Sequence, residues 1–193
     1  MKSSKNLKIT IVGIGIALNV VGAFIAFNLR LPIYLDSIGT IMVSFLLGPL
    51  YGIITGVLGS FTSGITFDVY SFYFASVQVF TGFLAGFFFK KGFMKGKKII
   101  FSTLIIGIVV SFFSAIITAY AFGGFTSSGS TYIVVILKNL GVNSVVSAFI
   151  VQFITDYLDK LITCIVMLNL VNKVPFSIKK RLNENYYARD KKV

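Results

Sequence analysis

The chain contains no histidine and a single cysteine, Cys164, among 193 residues. Without histidine it lacks the side chain that ordinarily exchanges a proton near neutral pH, and one thiol inside an apolar run allows neither a disulfide nor a Cys–His pair. The same shortage removes the common metal-ligand sets, so neither a metal site nor a cofactor is expected. Acidic groups are also scarce: six Asp and Glu stand against eighteen Lys and Arg, a formal charge of +12. Charged residues are 12% of the chain, about half the share of a soluble domain. Gly13-x-Gly15 has no strand before it and no third glycine, and no Gly-x-x-x-x-Gly-Lys-Ser/Thr run occurs, so dinucleotide and P-loop chemistry are excluded. An enzyme is not expected. What is abundant is apolar surface: 56% of residues are hydrophobic and the mean hydropathy is +0.90. That composition belongs in a bilayer. The positive charges lie between and after the apolar runs, which reads as membrane topology and not as a nucleic-acid surface.

Lys2, Lys5 and Lys8 precede an apolar stretch over 9–27. It exceeds a signal-peptide core of about 7 to 15 residues and reads as a retained first span. The next run, 33–66, is one long helix or two short ones broken at Gly48-Pro49, since proline removes a donor and disfavours helix in the residue before it. Charge decides. A single helix would put the five lysines of 90–98 on the opposite side from the N-terminus, against the positive-inside rule. Splitting the run places fifteen of the eighteen positive charges on one, cytoplasmic, face together with both termini. The expected architecture is an all-α integral membrane protein of six spans at 8–28, 33–47, 50–66, 72–89, 99–122 and 155–171. An outer or re-entrant helical segment over 132–153 precedes the last, with a break near Gly141 and Asn143. Residues 1–174 form the membrane domain and 175–193 a basic tail too short to fold.

Within the first span, Gly13-x-x-x-Ala17 and Gly22-x-x-x-Ala26 make a flat strip that serves either close packing inside the bundle or docking of a partner. Gly48-Pro49 with Gly52, Gly56 and Gly59 reads as a tight inner turn and a small-residue packing face. The outer loops gather polar and aromatic groups: Arg30, Tyr34 and Asp36; Asp68, Tyr70, Phe74 and Gln78; and a Gly/Ser/Thr loop with Phe125, Thr126 and Ser128. Such groups build a pocket for a planar, water-soluble organic molecule, or else an interfacial aromatic belt with solvated loops. Asp156-Tyr157-Leu158-Asp159-Lys160 is the densest charge cluster in an apolar setting. Intramembrane charges point to function, although Asp156 and Lys160, four apart, can also simply pair on one helical face.

Four stretches together carry a likeness to a known family: the strip of the first span, Leu31-Pro32-Ile33-Tyr34-Leu35-Asp36-Ser37-Ile38-Gly39-Thr40, Leu47-Gly48-Pro49-Leu50-Tyr51-Gly52, and Asp159-Lys160 opening the last span. With six spans they cover most of the chain, which resembles the S components of energy-coupling factor (ECF) transporters. The resemblance implies a six-helix bundle in a bacterial cytoplasmic membrane that binds a vitamin or related micronutrient tightly from outside. It implies loops after the first, third and fifth spans, and the outer parts of the fourth to sixth, as the binding region. It further implies docking by the first-span strip on a membrane coupling (T) subunit served by two cytosolic ATPases, with transport by toppling. Gly13 and Ala17 stand where the family usually has an Ala-x-x-x-Ala pair; the glycine is a departure that still permits close approach. Leaving aside the aspartates of the last span, the outer charges are Arg30 and Lys138 against Asp36 and Asp68, which suits a neutral or weakly charged heterocycle. Tyr34, Tyr70, Phe74, Tyr120 and Phe125 are then candidates to stack on its ring. Asp68, Gln78, Asn143 and Asp159 are candidates for its polar edge. The alternative is a ligand-sensing membrane module of a signalling system, against which stands the short basic tail in place of an output domain.

Overall fold

A computed structural model describes residues 2–123 and 126–182. In chain order the helices are α1 (Lys2–Asn28), α2 (Ile38–Leu47), α3 (Pro49–Thr66), α4 (Ser71–Lys90), α5 (Lys98–Ile116) continued by one π turn (Ile117–Ala121), α6 (Ser130–Asn139), α7 (Ser144–Lys173) and α8 (Phe176–Leu182). No strand occurs among the described residues. Lys5–Asn28, Ser71–Lys90 and Lys98–Ala121 are long and apolar enough to cross a bilayer, and α7 with α8, bent by 107°, makes a fourth candidate. α3 has 18 residues, diluted by glycine, serine and threonine. α2, at 10 residues, is about 15 Å long, half a hydrocarbon core.

The bundle is sorted as lipid demands. Large apolar side chains such as Phe24, Phe61, Phe83, Phe112 and Ile162 are exposed, while Asn19, Thr40, Ser44, Gln78, Ser111 and Gln152 are buried. In water this would be inverted; in hydrocarbon, small and hydroxyl-bearing residues belong between helices, where they allow close approach and find partners. The short α2 is the hub, packed on α1, α3, α4 and α7, with eight of its ten residues buried. Its approach to α1 depends on glycine: a Cβ on Gly39 would collide with the Gly15 backbone. Between α2 and α3, Gly48 has φ +99° and Pro49 opens the next helix, so the break lies where the Gly-Pro pair puts it.

Three segments differ from expectation. The second span starts at Ile38, not residue 33. Residues 31–37 run non-helically, with Leu35 at φ +53°, because the Leu35 N–H donates to Asp159 Oδ1 at 3.1 Å. The chain does break near Gly141 (φ +87°), but no second break separates 132–153 from 155–171. α7 is one helix of 30 residues, about 45 Å long, and the Thr155 hydroxyl folds back on the Val151 carbonyl at 2.9 Å without interrupting it. Finally, the start of the basic tail does fold. α8 turns back toward α1 and α2, and Leu182 is buried in the core.

Candidate substrate site

At the end of the bundle that carries the connections after α1, α3 and α5, a cavity opens whose space, counted with its mouth, is about 600 Å³. Its walls are the last turns of α1 (Ala23, Ala26, Phe27), the 31–36 segment, the first turns of α4 (Ser71, Phe74, Val77), Ser114 of α5, Ser127 and Ser128, and Asp156 and Lys160 of α7. Helix ends and a non-helical strip therefore meet over the middle of a long helix.

Charge at the base is concentrated on α7. Lys160, 2% exposed, donates to Asp159 Oδ2 at 2.7 Å and lies 3.6 Å from Asp36 Oδ1. Asp159 also accepts from the Leu35 N–H and, at 3.4 Å, from the Ser37 hydroxyl. A carboxylate with three donors in a low-dielectric interior is well satisfied, and it pins the strip between α1 and α2 onto α7. Asp156 behaves differently. It is 2% exposed, and among the described residues its Oδ2, like Asp36 Oδ1, has no hydrogen-bond partner within the chain. Asp156 and Lys160 do not form the simple i, i+4 pair that their spacing permits; the ion pairs of Lys160 run to Asp159 and Asp36.

A second polar network holds the strip from beneath. Asn19 Oδ1 accepts from the Gly39 N–H at 2.7 Å, its Nδ2 donates to Thr40 Oγ1 at 2.8 Å, and Thr40 donates to Gln78 Oε1 at 2.9 Å. Gln78 Nε2 then reaches the Asp36 carbonyl at 3.3 Å. The Tyr34 hydroxyl donates to Gln152 Oε1 at 2.9 Å, and Gln152 in turn donates to Thr118. At the mouth, Asp68 Oδ2 accepts from Ser127 at 2.9 Å and Ser71 at 3.1 Å, while the Gly129 N–H and Ser128 hydroxyl both donate to the Leu31 carbonyl. The 126–131 segment is thereby tied across the opening to two other loops.

Of the sequence-derived candidates, the structure brings Tyr34, Asp36, Asp68, Phe74, Ser128, Asp156 and Lys160 together around the cavity. The others stand elsewhere. Arg30 is exposed and donates to the Tyr132 hydroxyl. Tyr70 packs edge-on against Phe122, 4.6 Å between centroids. Tyr120 is 78% exposed. Thr126 bonds to Thr131 in the first turn of α6, Asn143 caps α7 through the Val145 N–H, and Gln78 and Asp159 brace the strip from behind. Phe125 lies outside the described residues. Reasoning from sequence missed Ala23, Ala26 and Phe27 of α1, Ser71 of α4 and Ser114 of α5. Ser114 carries no signal, because it is one hydroxyl among several in an apolar run; Ala26 had one, as half of a small-residue pair.

The two halves of the α1 strip face different ways. Gly22 and Ala26 are buried, Gly22 against the Leu35 carbonyl. Gly13 and Ala17 are exposed, and nothing approaches within 4 Å of a Cβ built on Gly13. Within the bundle, close packing is therefore the role of Gly15, Gly22 and Ala26, and not of the Gly13/Ala17 pair.

No curated protein and no solved structure matches the chain. Residues 7–172 match the family described as ECF transporter, substrate-specific component.

Proposed function

The chain belongs to the substrate-specific components of ECF transporters, and we propose that it captures a small, vitamin-like solute at the outer face of a bacterial cytoplasmic membrane. The observation that carries this reading is the cavity itself: aromatic faces and buried carboxylate oxygens that accept no hydrogen bond from the described residues, at the end of the bundle opposite the lysine-rich connection of 90–98. Six crossings with both termini cytoplasmic put that connection and the basic tail inside, as the positive-inside rule favours. Solute enters past Asp68, and the 126–131 segment closes the mouth through its bonds to Asp68 and Leu31. Tyr34 and Phe74, with ring centroids 6.1 Å apart, supply aromatic surface for a ring.

Energy comes from elsewhere. The exposed Gly13/Ala17 face of α1 docks on a membrane coupling subunit, and two ATPase subunits drive reorientation of the loaded protein. Because 31–37 leads directly from the cavity wall into the hub helix α2, filling the cavity can shift the balance between docked and free states.

The test is recovery of the tagged full chain from its native membranes in mild detergent, followed by mass spectrometry of co-purifying proteins. A coupling subunit with two ATPases is the expected result. A histidine kinase in their place, or no partner, refutes the uptake reading and favours a sensing module.

A further inference from the structure

We infer that the solute held in this cavity is an organic cation that presents protonated-amine or amidine N–H groups to Asp36 and Asp156. The inference rests on reading the cavity as the substrate site. It departs from the neutral heterocycle expected when the α7 aspartates are left out of the charge count.

Three carboxylates (Asp36, Asp68 and Asp156) and one ammonium (Lys160) line the cavity. The ammonium is already committed, being hydrogen-bonded to Asp159 behind the wall at 2.7 Å and only 3.6 Å from Asp36. Asp68 is likewise engaged by Ser71, Ser127 and the Tyr70 N–H. What stays open is Asp156 Oδ2, buried with neither a hydrogen bond nor an ion pair among the described residues; Asp36 Oδ1 beside it accepts no hydrogen bond and has only the shared Lys160 ammonium, at 3.6 Å. Arg30, the nearest loop cation in sequence, is turned away to Tyr132 and does not line the cavity. An anionic solute would thus meet carboxyl oxygens with no uncommitted cation among the lining residues. A neutral solute could bond to Asp156 Oδ2 but would bring it no counter-charge. A cation does both, since its N–H groups form charge-assisted bonds to carboxylates. Tyr34 and Phe74 add ring faces that attract positive charge.

The full chain in detergent micelles is mixed in turn with three fractions of yeast extract separated at pH 7: bound to a cation exchanger, bound to an anion exchanger, and unretained. Thermal stability is read for each. Stabilisation by the fraction bound to the cation exchanger is expected, with Asp156→Asn needing about tenfold more of it for the same shift. Asp36→Asn is the second variant should Asp156→Asn fail to fold. Stabilisation only by the unretained or the anionic fraction overturns the cationic class while leaving solute capture intact. Stabilisation by none refutes solute capture and this inference with it. An unchanged requirement in both variants overturns the role given to Asp36 and Asp156.

Discussion

Replacing Lys160 by methionine keeps most of the side-chain volume but removes the cation that faces Asp159 at 2.7 Å and Asp36 at 3.6 Å. Asp159 is 1% exposed and retains only the Leu35 N–H and Ser37 hydroxyl as donors, so its charge is left buried without a counter-ion. Breaking a buried pair from one side costs about 3 to 5 kcal/mol. The reverse change is milder. In Asp159→Asn the ammonium still has Asp36 within reach, and the amide oxygen can keep one of the backbone or hydroxyl donors, so the loss is that of buried hydrogen bonds, about 1 to 3 kcal/mol. The double variant Lys160→Met/Asp159→Asn has no orphaned Lys160–Asp159 partner and should be less destabilised than the two single losses added, by about 1 to 3 kcal/mol of coupling. Unfolding of the four proteins in the same detergent measures all three quantities. If Asp159→Asn is as damaging as Lys160→Met, or if the two losses add, the ion pair does not hold the 31–37 strip to α7.

Further outcomes follow from the same geometry. Ala17→Trp, on the exposed face of α1, should abolish uptake in cells while the isolated protein binds solute normally; normal uptake would remove this face from the coupling role. Gly39→Ala should prevent or severely weaken folding because its Cβ meets the Gly15 backbone, whereas Gly13→Ala, with open space around it, should melt within a degree or so of the parent. Asp68→Ala frees Ser71 and Ser127 and should weaken solute binding by about 1 to 3 kcal/mol, with faster proteolysis of the 126–131 segment. Reporter fusions at Lys95 and Ser128 should report the cytoplasm and the exterior respectively, and any other pattern overturns the six-crossing topology.

Much of the helical plan was legible from local chemistry. Gly48-Pro49 separates α2 from α3 because proline cannot continue a helix that precedes it, and Gly141 and Asn143 mark the start of α7 because one permits a left-handed turn and the other caps. The lysines of 90–98 stand in the connection between α4 and α5, away from the polar connections after α1, α3 and α5. Facing direction was not legible. In a chain that is apolar on every side, periodicity cannot tell a lipid-facing stripe from a core-facing one. Gly13 and Gly15 illustrate this: about 200° apart around α1, one is open and the other is locked against Gly39. The site suffered for the same reason. Asp156 and Asp159 look alike in sequence, yet three residues of helix turn one into the cavity and place the other behind its wall, where Leu35, Ser37 and Lys160 saturate it. The sequence by itself determined that the protein lives in a bilayer, that helices part at Gly48-Pro49 and near Gly141, and which end collects polar groups, because composition and backbone-restricted residues act locally. Only the tertiary structure decided that 33–37 is a wall and not a helix, and which carboxylates stay open, because those depend on partners more than a hundred residues away in the chain.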